Sequence, residues 1–310
     1  GDAFAWLHPH EIFCEHAALT AFENDGARVL NLHDLATLTR EEWERLEPWQ
    51  WPGGDFPCRN IVPVDPQSHG ATVSALYPLI LNSGRIRDQW HTMTRTGYVA
   101  RLMQHIAEPF VEVCPADAVR FSLCDGQLAR ISSPRGVMVA RVRISDAQRE
   151  GNAFAPMHWN AVFARQGKVN ALVEGRCDPA SGQPESKQTA VRIMPWLPAW
   201  QGVLYTHEQP ALPSWVHWWR KASHLTVSGD KPLLSWVMNY ASSRGWQLQV
   251  AQTGERSSVL AWHEGQLMLG FWEGTTLPEL VHPIIDAAFR SPPTTPAERH
   301  ALLNGQGVEE

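Results

Sequence analysis

The densest concentration of chemistry-capable side chains in the sequence is Asn82-Ser83-Gly84-Arg85-Ile86-Arg87-Asp88-Gln89-Trp90-His91-Thr92-Met93-Thr94-Arg95-Thr96-Gly97. Its arginines supply forked donors suited to phosphates, Trp90 and His91 a flat apolar wall, and Ser83, Thr92, Thr94 and Thr96 short hydroxyl donors. Gly84 lets the backbone come close to another group. Such a composition also suits a solvated surface loop, and the residue types alone leave both readings open. Other constellations fail. His10 and Cys14 share a helical face, but two ligands without an evident third are more often structural than metallic. His10-Glu11 is not followed by the second histidine of H-E-x-x-H. Neither G-x-G-x-x-G after a strand nor G-x-x-x-x-G-K-[ST] occurs, so a nicotinamide or nucleoside triphosphate site is unsupported.

The elements that position the loop are partly legible. Ala75-Leu76-Tyr77-Pro78-Leu79-Ile80-Leu81 reads as a buried strand feeding it. Residues 1–50 read as helical: Pro9 suits a first turn, Ile12, Phe13, His16, Ala17 and Leu19 follow helical spacing, and Thr39-Arg40-Glu41-Glu42 is a capping box. Pro48 ends that short helix, and residues 49–67, rich in Pro and Gly, read as an irregular connection. From about Thr72 to Met194 the pattern is mostly β. Residues 127–132 and 137–144 flank Ser133-Pro134-Arg135-Gly136, and Met138, Ala140, Val142 and Ile144 alternate as in a half-buried hairpin strand. Several short strands with turns between them predict a barrel. Residues 195–213, with tryptophans and prolines, read as a linker. Beyond it we expect a helix over 233–243, strands over 247–251, 259–262 and 266–272, and a helix after Thr276 that Pro283 bends. Thr295-Pro296-Ala297-Glu298 starts a last helix that Gly305 stops.

Composition excludes several classes. The 310 residues fit one large or two medium domains, with 44% apolar content and a net charge of −6. Acidic and basic residues are mixed throughout, without the basic stripe of a nucleic-acid binder. No apolar stretch approaches the ~18–20 residues of a membrane span, and no secretory signal is visible. The fifteen tryptophans are scattered, which suits core filling. Cys14, Cys58, Cys114, Cys124 and Cys177 form no C-x-x-C pair, so neither a disulfide framework nor a locally held iron–sulfur cluster is expected, and a cytoplasmic location fits.

The segment Gly84 through Gly97 resembles the GR…WHT.T.TG loop of the molybdopterin-dinucleotide-binding domain in the dimethyl sulfoxide reductase family, and most closely its bacterial assimilatory nitrate reductase subgroup. The resemblance continues in order through Glu108-Pro109-Phe110-Val111-Glu112-Val113, Pro115-Ala116-Asp117-Ala118 and Phe154-Ala155-Pro156-Met157-His158-Trp159. It ends in Asn170 and Asp178-Pro179-Ala180-Ser181-Gly182-Gln183-Pro184-Glu185-Ser186-Lys187. Upstream, Glu11-Ile12-Phe13, Glu15-His16-Ala17-Ala18-Leu19 and Phe22-Glu23-Asn24 also look like that subgroup. It covers most of residues 10–195.

The resemblance implies a mixed α/β chain. By that resemblance a tail of the catalytic region (1–71) leads into a six-stranded double-psi β-barrel (72–195), and the residue pattern itself adds a linker (196–213) and a small α+β domain of unknown role (214–310). The resemblance also implies molybdenum held by two molybdopterin guanine dinucleotides, with nitrate as substrate of the full enzyme and a protein electron donor. A [4Fe–4S] cluster and the metal ligand would lie upstream of Gly1, so the chain looks like the C-terminal part of a longer reductase, inactive alone. Ser83, Gly84, Arg85, Trp90, His91 and Thr92 match the cofactor-contact loop, with Arg85 the charge partner and Trp90 and His91 the wall near the pterin. Arg87 and Arg95 suit surface ion pairs equally well. Asn170 and Lys187 match two further contacts, an amide for a heterocycle edge and a cation. Trp159 falls where relatives place an aromatic facing the active-site funnel, although a phenylalanine is expected there, and His158 equally suits a structural role. No catalytic residue or metal ligand is expected within the chain. The rival expectations are a formate dehydrogenase-like relative, which shares the loop, and a non-catalytic cofactor-binding module.

Overall fold

The computed structural model describes residues 8–19, 32–46, 71–178, 182–221 and 223–305. Two compact units divide the chain, Gly1–Ser68 and His69–Glu310. The irregular connection over 49–67, the helix stop at Pro48, Phe22-Glu23-Asn24, Cys58 and Pro179-Ala180-Ser181 lie outside the described residues.

The first unit contains α1 (Pro9–Leu19) and α2 (Arg40–Glu44), with a 3₁₀ turn at His33–Thr37. Thr39 and Glu42 make the expected reciprocal capping box. His10 Nε2 lies 2.6 Å from the Leu38 carbonyl and 3.4 Å from Cys14 Sγ. That pair therefore ties α1 to the segment before α2. Among the described residues no group of three or more His, Cys, Asp or Glu could hold a metal ion.

The second unit runs β1 (Leu79–Gly84), α3 (Ala100–Met103), β2 (Phe110–Val113), α4 (Pro115–Arg120), β3 (Leu128–Ser132), β4 (Val137–Ile144), β5 (Asn152–Pro156), β6 (Ala164–Arg165), β7 (Thr189–Pro195) and β8 (Trp200–Thr206). It continues through β9 (His217–Lys221), β10 (His224–Gly229), α5 (Leu234–Ser242), β11 (Gln247–Thr253), β12 (Arg256–His263), β13 (Gln266–Gly274), α6 (His282–Arg290) and α7 (Pro296–Leu303). Six strands close a barrel in the order β1-β5-β2-β4-β3-β7. β1 pairs with β5 and β2 with β4 in parallel, and the other neighbours are antiparallel. The alternation expected in β4 is present: Met138, Ala140 and Val142 point inward and meet Leu79, Leu81, Val111, Val113, Ile131, Val191 and Ile193. Each fully buried aliphatic side chain is worth about 1.5–3 kcal/mol over an exposed one, so this layer outweighs any single polar contact in the barrel.

A seven-stranded antiparallel sheet, β11-β12-β13-β8-β10-β9-β6, follows. Here the linker reading of 196–213 is corrected. β8 lies at the sheet's centre between β13 and β10, because Val203, Leu204 and Tyr205 bury both of its faces. The flanking prolines obscured a short apolar strand. Pro283 also differs from expectation: it sits in the first turn of α6 and starts the helix instead of bending it. Thr295 and Glu298 cap α7 as expected, and Gly305 beyond it takes φ 73°, the left-handed conformation that stops helices. No helix among the described residues is long and apolar enough to cross a membrane.

Glu273 on β13 lines a cavity of about 320 Å³ with Arg256, Ser258 and Asn304, and its Oε2 has no hydrogen-bond partner among the described residues. Burial raises its pKa from 4.5 to about 7. Between those values the native chain holds a proton that the unfolded chain releases. The group's contribution is therefore full below the unfolded value and lost as pH rises through the folded one. Glu273→Gln is expected to raise stability by about 1–2 kcal/mol at about pH 8, solvent at the cavity mouth screening the rest, and to change it little at about pH 4. Urea melts at both pH values check this, and equal effects at both would refute it.

Candidate functional site

β1 and β5 run parallel, with Ser83 opposite Ala155 and Gly84 opposite Pro156, so the two chains leave the barrel at one end side by side. The Met157 amide donates to the Gly84 carbonyl at 2.8 Å and extends the pairing beyond the strands. Gly84 does permit a close approach, but to the barrel wall: a Cβ there would stand 2.5 Å from Phe154 Cε2.

The other predicted residues converge on this end through the register. β7 begins there, since Thr189 pairs with Leu81. β3 ends there, since Ser132 pairs with Arg192 near the start of β7. Ser83 continues the inward row of Leu79 and Leu81 and is buried at the mouth, donating its hydroxyl to the Ser186 carbonyl at 2.6 Å. Lys187 Nζ donates to the Ser83 carbonyl, which ties β1 a second time to the approach of β7. Asn170 is exposed on a 3₁₀ turn, Val169–Ala171, at the same end. That turn is held by Ser133 Oγ, which donates to the Leu172 carbonyl at 2.7 Å.

The 84–97 loop is folded back on itself. Met93 is fully buried among Trp159, Phe163, Met103 and Trp219, and its amide donates to the Trp90 carbonyl at 2.9 Å. Gly97 packs against Phe163 where a Cβ would stand 2.5 Å from the ring. His91 and Met93 both have left-handed backbones, φ 42° and 60°, which non-glycine residues adopt only where the surroundings impose it. What the loop leaves exposed is Arg85, its guanidinium 5.6 Å from the Trp90 ring centroid, then Trp90 itself, with His91 edge-on at 4.7 Å, and Thr92. Asn160 Nδ2 donates to the Thr92 carbonyl at 2.6 Å. Arg87 makes the surface ion pair, 3.0 Å from Asp88, which also meets His105 at 2.5 Å. Arg87 and then His105 hold the Asp88 carboxyl below its usual range.

His158 lies beneath this loop, fully buried. Its Nε2 accepts from the Ile86 amide at 2.9 Å, so the proton sits on Nδ1, which donates to the His91 carbonyl at 2.6 Å. Burial pushes the imidazole pKa down, the Arg85 charge adds to that, and the His91 carbonyl opposes it. Trp159 departs from the expectation of an aromatic facing a funnel. It is 3% exposed in the core beneath the loop, and its Nε1 has no hydrogen-bond partner among the described residues. The Pro-Met-His-Trp motif signalled the place but not the directions in which its side chains point. Asn160, which fixes the loop, carried no signal in sequence, and Ser186, which fixes the mouth, stood there only as one residue of the 178–187 segment.

Residues 214–310 suggested no catalytic constellation, yet His224 and His282 from that range form a cluster with Tyr205 of β8. Tyr205 Oη lies 2.7 Å from His282 Nδ1, and His224 stacks on His282 at 4.4 Å. Burial drives the His224 pKa down to about 3, with His282 and Lys221 adding to the shift. The cluster edges a cavity of about 550 Å³ lined by Arg220, Asp286 and Phe289.

At the barrel end, then, a guanidinium, an indole, an imidazole, hydroxyls, an amide and an ammonium spread over an extended rim. This donor set suits a long ligand bearing phosphates and heterocycles better than a compact one. Residues 79–190 match the model of the Molydopterin dinucleotide binding domain. The chain is 53% identical to a nitrate reductase of Klebsiella oxytoca over all of its length, spanning 38% of that relative. It is 34% identical to the assimilatory nitrate reductase catalytic subunit of Bacillus subtilis over 44% of this chain and 19% of that one. It is 33% identical to the F420-dependent formate dehydrogenase subunit alpha of Methanocaldococcus jannaschii over 43% and 19%. Residues 79–190 are therefore similar to a molybdopterin dinucleotide-binding domain, and the chain spans about two fifths of the nitrate reductase that it matches over its whole length.

Proposed function

We propose that this chain is the cofactor-binding portion of a molybdenum-dependent nitrate reductase that converts nitrate to nitrite. The observation that carries the reading is the extent of similarity: 53% identity over 100% of the chain to a relative named nitrate reductase, against 33% over 43% to a formate dehydrogenase subunit. Two parallel pairs within the closed barrel support its double-psi type, and β8 to β13 with α5, α6 and α7 support an α+β region after it. Molybdenum with two molybdopterin guanine dinucleotides supplies the two-electron oxygen-atom chemistry that side chains lack.

The chain's own residues bind and orient. Arg85 offers a forked cation, its plane kept near Trp90. Trp90 and His91 present an edge-to-face wall, Thr92 a hydroxyl, Asn170 an amide and Lys187 an ammonium, all on the rim of one barrel end. Ser83 and Gly84 hold the mouth in shape. Trp159 supports from beneath, a role in place of the direct contact expected of it. Free Cys14, Cys114, Cys124 and Cys177 support a reducing, cytoplasmic setting. The cysteine spacing fits no locally held cluster, so on this reading a [4Fe–4S] group falls to another part of the enzyme. On this reading the chain alone does not turn over nitrate.

Arg85→Ala tests the reading. Arg85 is exposed, so the barrel is expected to fold normally, while cofactor retention by the full-length enzyme weakens by about 1.5–3 kcal/mol, the worth of a charge-assisted bond. Molybdenum content after gel filtration reports it, and content equal to the parent enzyme would refute the role.

Lys187→Met separates ligand binding from the bond to Ser83. The apo protein is expected to lose no more than about 1 kcal/mol, whereas the stabilisation gained from the cofactor shrinks with its affinity. Equal drops in apo and holo melting temperature would mean that Lys187 only holds the barrel mouth.

A further inference from the structure

We propose that His158 is the positioning residue of the cofactor loop: one neutral imidazole fixes the two ends of the 86–91 span and so sets where Arg85, Trp90 and His91 stand on the rim. The inference rests on the cofactor reading above and assigns a task to a residue that reading leaves unused.

Three observations carry it. First, both ring nitrogens are engaged with main-chain groups of one loop, Nε2 with the Ile86 amide at 2.9 Å and Nδ1 with the His91 carbonyl at 2.6 Å. Two bonds from a rigid ring define both the separation and the relative direction of those peptide groups, which a single bond does not. Second, His158 is fully buried and follows β5, so its own position is set by the barrel through the parallel pairing with β1. The loop is thus referenced to the wall of the domain. Third, the accepting carbonyl belongs to His91, whose left-handed backbone needs an external restraint. That backbone turns the chain so that Trp90 points to solvent, 63% exposed, while Met93 is wholly buried.

No other side chain carries a donor and an acceptor at this fixed separation in a ring. Asn can reproduce the Nδ1–H donor and Gln the Nε2 acceptor, each on a more mobile stem. Only the neutral form serves, because a second ring proton would face the Ile86 N–H.

Full-length enzyme carrying His158→Asn, His158→Gln or His158→Leu tests this, with two readouts: hydrogen exchange at the Ile86 amide, and molybdenum retained through gel filtration. Gln is expected to keep much of the Ile86 protection, and Asn and Leu to lose it. Molybdenum retention is expected to fall roughly tenfold in the Leu variant, the scale of two modest hydrogen bonds, with Asn and Gln between it and the parent. If the Leu variant does not fold, the Asn and Gln variants decide. Retention equal to the parent in both overturns the positioning role, as does a fall in apo and holo melting temperatures that leaves retention unchanged. Parent enzyme that purifies without molybdenum overturns the cofactor reading, and this inference with it.

Discussion

The parallel pairing of β1 with β5 is the constraint on which the rest of the site depends. An antiparallel neighbour would have sent the two following segments to opposite ends of the barrel. Parallel pairing sends the 84–97 loop and the 157–160 segment out of the same end, with Gly84 and Pro156 in register. The loop is long and polar, and the segment beside it carries the buried histidine and tryptophan that shape it. The exposed chemistry thus comes from one strand and its scaffolding from the next, and neither alone would hold the left-handed turns at His91 and Met93.

The second tie closes the mouth from the other side. Two hydrogen bonds of opposite sense join β1 to the approach of β7, from the Ser83 hydroxyl to the Ser186 carbonyl and from the Lys187 ammonium to the Ser83 carbonyl. The buried row Leu79, Leu81, Ser83 shows how the change from aliphatic to hydroxyl marks the place where the barrel stops being core and becomes site.

Local signals were the legible ones. The capping boxes at Thr39 with Glu42 and at Thr295 with Glu298 involve residues three apart, and the Met138, Ala140, Val142 alternation needs only one strand. The 84–97 loop was also visible as a run of side-chain types, and its place at the barrel end follows from the β1 register. What sequence could not give was non-local. β8 looked like a linker because prolines frame it, and only its two partners reveal it as the sheet's central strand. Trp159 was expected to face a funnel because it falls where relatives place an exposed aromatic, whereas its neighbours in space are Met93, Phe163 and Trp219. Likewise His158 gains its meaning from an amide 72 residues away in the chain.

The two-residue strand β6 lies within the span of the barrel domain yet pairs with β9 beyond it, Ala164 opposite Trp219 and Arg165 opposite Trp218. The Gln166 carbonyl next to it accepts from the Val139 amide of β4 at 2.7 Å. The Arg165 guanidinium donates to the carbonyls of Leu212, Pro213 and Val216. The boundary suggested by similarity at residue 190 is therefore not a seam in the molecule. Cutting there would strand an arginine built to satisfy three carbonyls and open the hydrophobic floor under the 84–97 loop to water. In such a chain the recognisable module and the smallest unit that can be inherited, exchanged or grafted intact are different lengths, and the longer one includes the sheet.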